Sequence, residues 1–340
     1  MLRFPPWAAR VLLPAACVLL AACAQQPAPA PATPPEPATL HLSVFPGAVN
    51  ILLTIGQEQG MFAAQGLTLD IKTTPDSDTL RNGLADGSFD IVHAGVDNAI
   101  ALVEAQGKDA VVVIGGDQGM LEFMARPEIN GLADVRGKAL AVDAPNTAYA
   151  LVARKILKMN GLAEGRDYQV RVAGGTLQRS QAMMRDPQLA VGMVNVPYSV
   201  IAARQGLHSL GQARDFLGPY QASSGFVMRA WARAHPELLE RYLAAYIASQ
   251  RWAMDPAHHD AVLAILTRTL KLEPAVAQES LRRLLTPGFG MAPDARLDVD
   301  GLRNVLALRA EMEGQWGGTP PAPDKYLDLG YYDRALRRLR

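Results

Sequence analysis

The strongest constraint on this chain is the repeated alternation of short, almost wholly apolar runs with helical segments. Residues 89–94, 111–114 and 189–194 are apolar on both faces of an extended strand. A strand on a half-solvated antiparallel sheet alternates apolar with polar, whereas one that is apolar on both sides fits a parallel sheet covered by helices. The segments between these runs supply the helices. The pattern predicts a strand over 40–45, a helix over 48–59 stopped by Gly60 and a strand over 67–72. A helix over 77–85 follows, capped by Ser77 or Asp78, and another over 98–106, capped by Asp97 and closed by Gly107. The fold class is α/β.

The layout then recurs. Segments 57–96 and 155–197 each read helix, Gly-Leu, strand, loop, helix, apolar strand, at an offset of roughly 95–100 residues, too long for a solenoid repeat. Two α/β lobes of similar build satisfy it. Gly115-Gly116-Asp117-Gln118-Gly119 follows a strand without the spacing of a dinucleotide fingerprint, and reads as a crossing between lobes with glycines as hinges. Beyond residue 229 the pattern is helical over 231–254, 257–271, 275–285 and 299–313, elements expected to pack outside the lobes. Residues 316–328 read as a wrapping loop and 331–340 as a short basic helix that docks the chain end.

The N-terminus is an address. Arg3 and Arg10 precede the brief apolar run 11–20, and Leu20-Ala21-Ala22-Cys23 resembles a bacterial lipobox. The run is too short for a transmembrane helix of about 20 residues. Residues 1–22 are thus expected to be a lipoprotein signal peptide and Cys23 the lipidated first residue of the mature chain. Cys17 is the weaker candidate, because Pro14 stands where Leu20 stands before Cys23. Residues 23–38 form a Pro/Ala-rich, extended spacer. Both cysteines of the chain lie in this segment, so a mature body without them excludes a cysteine nucleophile, Cys-ligated zinc and iron–sulfur chemistry. Lys+Arg and Asp+Glu are both 33, and removing Arg3 and Arg10 leaves 31 against 33. Nucleic acid, which calls for a basic surplus, is not an expected partner.

In open parallel sheets ligands bind beyond the carboxyl ends of the strands, where helix N-termini present free N–H groups. The loops there supply the candidate ligand-binding residues Phe45, Asn50, His93, Asp97, Asn98, Asn146, Thr147, Asn195 and Tyr198. Asn146-Thr147 caps a strong helix ending at Asn160. Asp97-Asn98 plays the same part after Gly95, and Asn195 opens a helix. His93 lies in an apolar strand, where a satisfied core histidine is the alternative role. Phe45 and Tyr198 offer flat faces for stacking, or core packing. Arg179 is a possible partner for an anion, but a solvated helix face is the better reading. No metal spacing of histidines and no Gly-x-Ser-x-Gly elbow occurs, so neither catalytic residues, metal nor cofactor is expected. The loops are poor in Lys and Arg and rich in Asn, Thr, Asp and aromatics, which leans toward a neutral or weakly charged, planar ligand.

Several segments carry a family resemblance. Gly56-Gln57-Glu58-Gln59-Gly60-Met61-Phe62 with Gln65-Gly66-Leu67 resembles the opening of the nitrate/sulfonate/taurine and thiamine-pyrimidine-precursor group of ABC transporter solute-binding proteins. Gly83-Leu84-Ala85-Asp86-Gly87-Ser88-Phe89-Asp90, Val135-Arg136-Gly137-Lys138, and Phe226-Val227-Met228-Arg229 with His235-Pro236-Glu237 are similar to later steps of that pattern. The likeness spans roughly residues 40–260. It implies a two-lobed type-2 periplasmic binding protein fold, each lobe a mostly parallel sheet flanked by helices, with additional C-terminal helices. Lobe 1 would be 39–122 and 222–340, and lobe 2 would be 123–221. The implied function is a substrate-binding lipoprotein, a monomer on the periplasmic side of a bacterial membrane. It would capture a pyrimidine, sulfonate or aromatic-type molecule between its lobes and deliver it to an ABC permease in the inner membrane. The alternatives are a ligand sensor for a membrane signalling protein, or an enzyme like the yeast-type thiamine-pyrimidine synthase. The cysteine-rich motif of that enzyme is missing from the mature chain.

Overall fold

The computed structural model describes residues 36–340. The signal peptide, Cys23 and nearly all of the spacer lie outside the described residues. In chain order the first elements are β1 (Ala38–Val44), α1 (Ile51–Glu58), α2 (Met61–Ala64), β2 (Leu67–Thr73), α3 (Ser77–Ala85), β3 (Ile91–Gly95), α4 (Asp97–Glu104) and β4 (Ala110–Ile114). The next are β5 (Glu122–Ala125), β6 (Lys138–Val142), α5 (Ala148–Met159), β7 (Tyr168–Val172), α6 (Thr176–Arg185), β8 (Leu189–Val194), α7 (Tyr198–Arg204), β9 (His208–Gln212) and α8 (Ala213–Leu217). Then come β10 (Ser223–Met228), α9 (Arg229–Ala234), α10 (Pro236–Met254), α11 (His259–Leu270), α12 (Pro274–Leu284), α13 (Val299–Glu313) and α14 (Gly330–Arg338).

The strands form two five-stranded sheets of matching design, ordered β2-β1-β3-β10-β4 and β7-β6-β8-β5-β9. Four strands of each run in one direction: β1 pairs parallel with β2 and β3, β6 pairs parallel with β7 and β8, and β4 and β9 share those directions beyond an antiparallel neighbour. The fourth position is antiparallel and is filled by a strand from across the molecule: β10 in the first sheet and β5 in the second. Each lobe is therefore a mixed α/β sheet completed by a strand entered through a crossing. The apolar runs behave as their composition requires. Every residue of β4 and β8 is buried, because helices cover both faces.

The crossings are packed rather than loose. Gly115 N–H donates to Ala295 O (2.9 Å), and a Cβ there would meet Arg296 O at 2.6 Å. At Gly116 a Cβ would lie 2.3 Å from Ser223 Oγ. These two glycines thus allow three chain segments to approach closely. Asp117 ties the crossings together: its carboxylate accepts from Gly119 N and Met120 N (3.0 Å each) and from the backbone and hydroxyl of Ser223.

The C-terminal helices depart from expectation in two places. The pattern over 231–254 is broken at His235, with Pro236 opening α10 at a position where its missing N–H costs nothing. Helix α13 has the bounds the sequence predicts, but it does not pack outside the lobes. It lies along α5, and Leu302, Val305 and Leu306 join one apolar cluster with Val92 and Ile100 of the first lobe and Phe123, Leu140 and Leu151 of the second. Lys155 and Arg154 of α5 pair with Glu311 and Glu313 of α13. The basic helix α14 docks on α10 through buried Tyr331 and Tyr332 and the Arg334–Glu240 pair. No described helix is long and apolar enough to cross a membrane.

Candidate functional site: the cleft between the sheets

The carboxyl ends of β1 and β3 face those of β6 and β8, and between them lies a partly enclosed cavity with about 640 Å³ of empty space, its mouth included. Phe45, Asn50, His93, Asn98, Thr147 and Asn195, six of the nine residues singled out from the sequence, line it. The local reasons are visible. Asn50 donates to Phe45 O (2.7 Å) and holds the loop after β1 in place. Thr147 occupies the N-cap position of α5, yet its hydroxyl donates to Asp143 Oδ1 (2.7 Å) and Ala144 O (3.0 Å) and does not cap the helix. The first-turn N–H groups of α5 therefore keep no side-chain cap beside the cavity. Asn195 donates to Tyr149 Oη (3.1 Å), and its Oδ1 is buried without a partner, an acceptor awaiting a donor.

His93 is a satisfied core histidine that also stands on the cavity wall. It lines the cavity and is 4% exposed, with Nε2 2.7 Å from Tyr242 Oη and its ring stacked on Tyr246 at 4.7 Å. Burial lowers its pKa to about 3, so the imidazole is neutral at pH 7. The unfolded chain binds a proton near pH 6.5 and the folded one does not until about pH 3, so stability falls as pH drops through that window. Urea unfolding at pH 7 and pH 4 is expected to show this loss, about 3 kcal/mol from His93 alone, and a His93→Gln variant should lose correspondingly less.

Three other residues sit differently. Asp97 does not cap α4 and does not line the cavity. It is 1% exposed, and Oδ1 accepts from Arg309 Nη1 of α13 at 2.5 Å. Asn146 offers Arg309 its backbone carbonyl (3.2 Å), and its side chain is not part of the cavity wall. Tyr198 packs in the second lobe's core beside Met124 and Val194. Helix α3 is capped by Asp76, which accepts from Thr79 N (2.8 Å), and not by Ser77 or Asp78.

Arg179 corrects the sequence reading most sharply. It is no solvated residue but is 1% exposed on the cavity wall. Its guanidinium donates to Met193 O (2.9 Å), Gly174 O (3.0 Å) and Thr176 Oγ1 (3.3 Å), lies over the Tyr149 ring and stands 3.9 Å from Asp143. The wall thus carries one arginine, already engaged, with the carboxylates of Asp143 and Asp117. Ser77, Asp117, Asp143, Tyr149 and Ser223 are lining residues that the sequence reading missed. Asp143 and Tyr149 flank Asn146-Thr147, so the loop itself was the available signal. Among the described residues no cluster of three or more His, Cys, Asp or Glu is arranged to hold a metal ion.

Two mixed α/β lobes joined by crossings, with a cavity between their strand ends, define a periplasmic binding protein fold. The chain belongs to the NMT1-like family, whose model matches residues 33–267. No curated protein matches it significantly in sequence. Solved structures share the fold at low identity. A protein of Bordetella bronchiseptica RB50 is 19% identical, with a TM-score of 0.76 over 89% of this chain and 98% of that one. The periplasmic nitrate-binding protein of Synechocystis PCC 6803 is 14% identical, with a TM-score of 0.74 over 91% and 90%. The alkanesulfonate-binding protein of Xanthomonas axonopodis pv. citri, bound to MOPS, is 17% identical, with a TM-score of 0.69 over 87% and 98%.

Proposed function

We propose that the protein is the solute-binding component of an ABC importer, not an enzyme, and that it captures a small organic molecule in the cleft and hands it to a membrane permease. The observation that carries this reading is the cavity itself, walled from both lobes at the strand ends. Solved relatives of the same fold include periplasmic nitrate- and alkanesulfonate-binding proteins. Ligand drives lobe closure only through contacts that differ between open and closed states. A cavity built from both lobes supplies such contacts.

Its chemistry favours a neutral or weakly charged planar ligand, of pyrimidine or aromatic type, over a sulfonate. Arg179 is held by carbonyls and shadowed by Asp143, so it offers an oxyanion little net positive charge. Phe45 and Tyr149 offer aromatic faces, and the unpartnered Asn195 Oδ1 suits a ligand N–H. A thermal-shift screen against pyrimidines, sulfonates, nitrate and aromatic acids tests this. A ligand at 100 times its Kd stabilises by about 2.7 kcal/mol. A rise in Tm with pyrimidines or aromatic compounds is expected, and a response confined to nitrate and sulfonates would refute the ligand class. We further propose that Cys23 is lipidated and tethers the protein near its permease, which raises effective concentration. Palmitate label that persists in Cys23→Ser would refute the anchor.

A further inference from the structure

Helix α14 docks through Tyr331 and Tyr332, but docking does not use up its arginines. It starts near the crossings, where Tyr332 Oη donates to Asp294 O (3.0 Å). From there it runs along α10 to the other end of the first lobe, where Arg338 meets Glu237 (3.8 Å) and Glu240 (3.4 Å). The first turns of α10 lie at that end because β10 is antiparallel to β3 and hands the chain to α9 and α10 where β3 begins. The cleft is at the opposite end of the strands, roughly 20 Å away along β1.

Segments 229–241 and 330–340 thus meet at one pole and bring seven arginines against three acids, Glu237, Glu240 and Asp333. Arg229 pairs with Asp109, and Arg334 and Arg338 pair with Glu240. Among the described residues Arg233, Arg337 and Arg340 are exposed and belong to no ion pair. In the same two segments Trp231, Leu238, Leu336 and Leu339 are only half-buried, and the Trp231 ring leans on exposed His235 at 5.4 Å. Arginine with half-exposed tryptophan and leucine is the composition of a surface that lies against lipid headgroups. The chain also enters the body here. Arg241, 8% exposed, donates to Glu36 O (3.0 Å) and Gln65 O (2.9 Å), so the first described residue is held beside the arginine patch.

We propose that this pole of the first lobe is a docking surface for anionic phospholipid headgroups, a reversible membrane contact beside the tether. Guanidinium groups pair bidentately with phosphate, and each cation near an anionic surface strengthens partitioning about fivefold. The tether sets the distance from the membrane and the patch sets the orientation. With this pole on the membrane, the cleft at the other end of β1 opens away from it, toward arriving ligand. The contacts are individually weak and screened by salt, so the body lifts off to meet its permease. The inference rests on the reading of Cys23 as an anchor only in placing a membrane nearby. Its test uses protein without a lipid, so its outcome is separate from that of palmitate labelling.

The test sediments residues 23–340, with Cys23→Ser, together with vesicles of phosphatidylcholine alone or of equal parts phosphatidylcholine and phosphatidylglycerol. This chain keeps every described element, and residues 1–22 are left off because their apolar run would enter vesicles by itself. Binding to the anionic vesicles alone is expected, weakened at high salt. Arg233→Gln with Arg337→Gln and Arg340→Gln should weaken it by about 100-fold. Arg185→Gln with Arg204→Gln, at the ends of α6 and α7 in the second lobe, should leave it unchanged. All five side chains are exposed, so melting curves are expected to match that of the parent. Equal binding to both vesicle types, no binding to the anionic ones, a triple variant that binds like the parent, or a loss as large from the second-lobe pair overturns the proposal.

Discussion

Replacing Gly175 by valine is expected to weaken ligand binding by about 10–100-fold while leaving the stability of the ligand-free protein nearly unchanged. Gly175 precedes α6 in the second lobe, and a Cβ there would stand 3.0 Å from Pro75 O and 3.4 Å from Phe45 Cε1, both in the first lobe. Its φ of −61° suits any residue, so the substitution strains no backbone of its own. Within its own lobe the only close neighbour is Gln178 Oε1 at 3.3 Å, the end of a flexible side chain that can swing away, so the crowding that opening the cleft relieves is that against the first lobe. Overpacking of this kind costs about 1–3 kcal/mol, and here the cost falls mainly on the closed state. Calorimetric titration of a ligand from the thermal-shift screen into both proteins checks it. Equal affinities would mean that the closed arrangement is not the binding one.

The second large effect concerns Arg309. Arg309→Met is expected to destabilise the protein by about 3–5 kcal/mol, because it leaves the Asp97 carboxyl, whose pKa burial already raises, without its partner. Both side chains are 1% exposed, and the bond is 2.5 Å. Arg309 also donates to Asn146 O at the start of the second lobe's α5 and to Gln315 Oε1, so its loss frees three acceptors. The double change Asp97→Leu with Arg309→Met should recover most of the loss, since an apolar pair of similar volume removes the stranded carboxyl. Urea unfolding of the two single variants and the double one measures this. A strictly additive result would show that the pair is not coupled.

These two residues also mark where sequence reading reaches its limit. The lobes were legible because strands 89–94, 111–114 and 189–194 are apolar on both faces, a local property with one good structural solution. Helix α13 was legible to its ends because Asp298 caps it and Gly314 ends it. Asp97, by contrast, looked like a cap because Asp before Asn-Ala-Ile is what a cap looks like. Its partner is 212 residues away, and no local pattern announces it. Arg179 misled for the same reason. A basic residue in a polar helix reads as solvated until the strand carrying Met193 is laid over it. The antiparallel positions of β5 and β10 follow from where the chain crosses between sheets, which strand composition does not encode. Six of the nine candidate site residues line the cavity because strand-end loops preceding helices can be found from the pattern alone. Asp143 and Ser77 needed the two lobes to be brought together.

Amide hydrogen exchange, with and without the ligand from the screen, tests most directly whether that ligand sits between the lobes. Bound ligand should slow exchange together in the loop after β1 (Phe45 to Asn50) and at α4's start in the first lobe, and at Thr147–Tyr149, Gly175–Thr176 and Asn195 in the second. Protection confined to one lobe, or centred on the groove lined by Ser209 and Gln212 of β9 and Arg282 and Arg283 of α12, would contradict it.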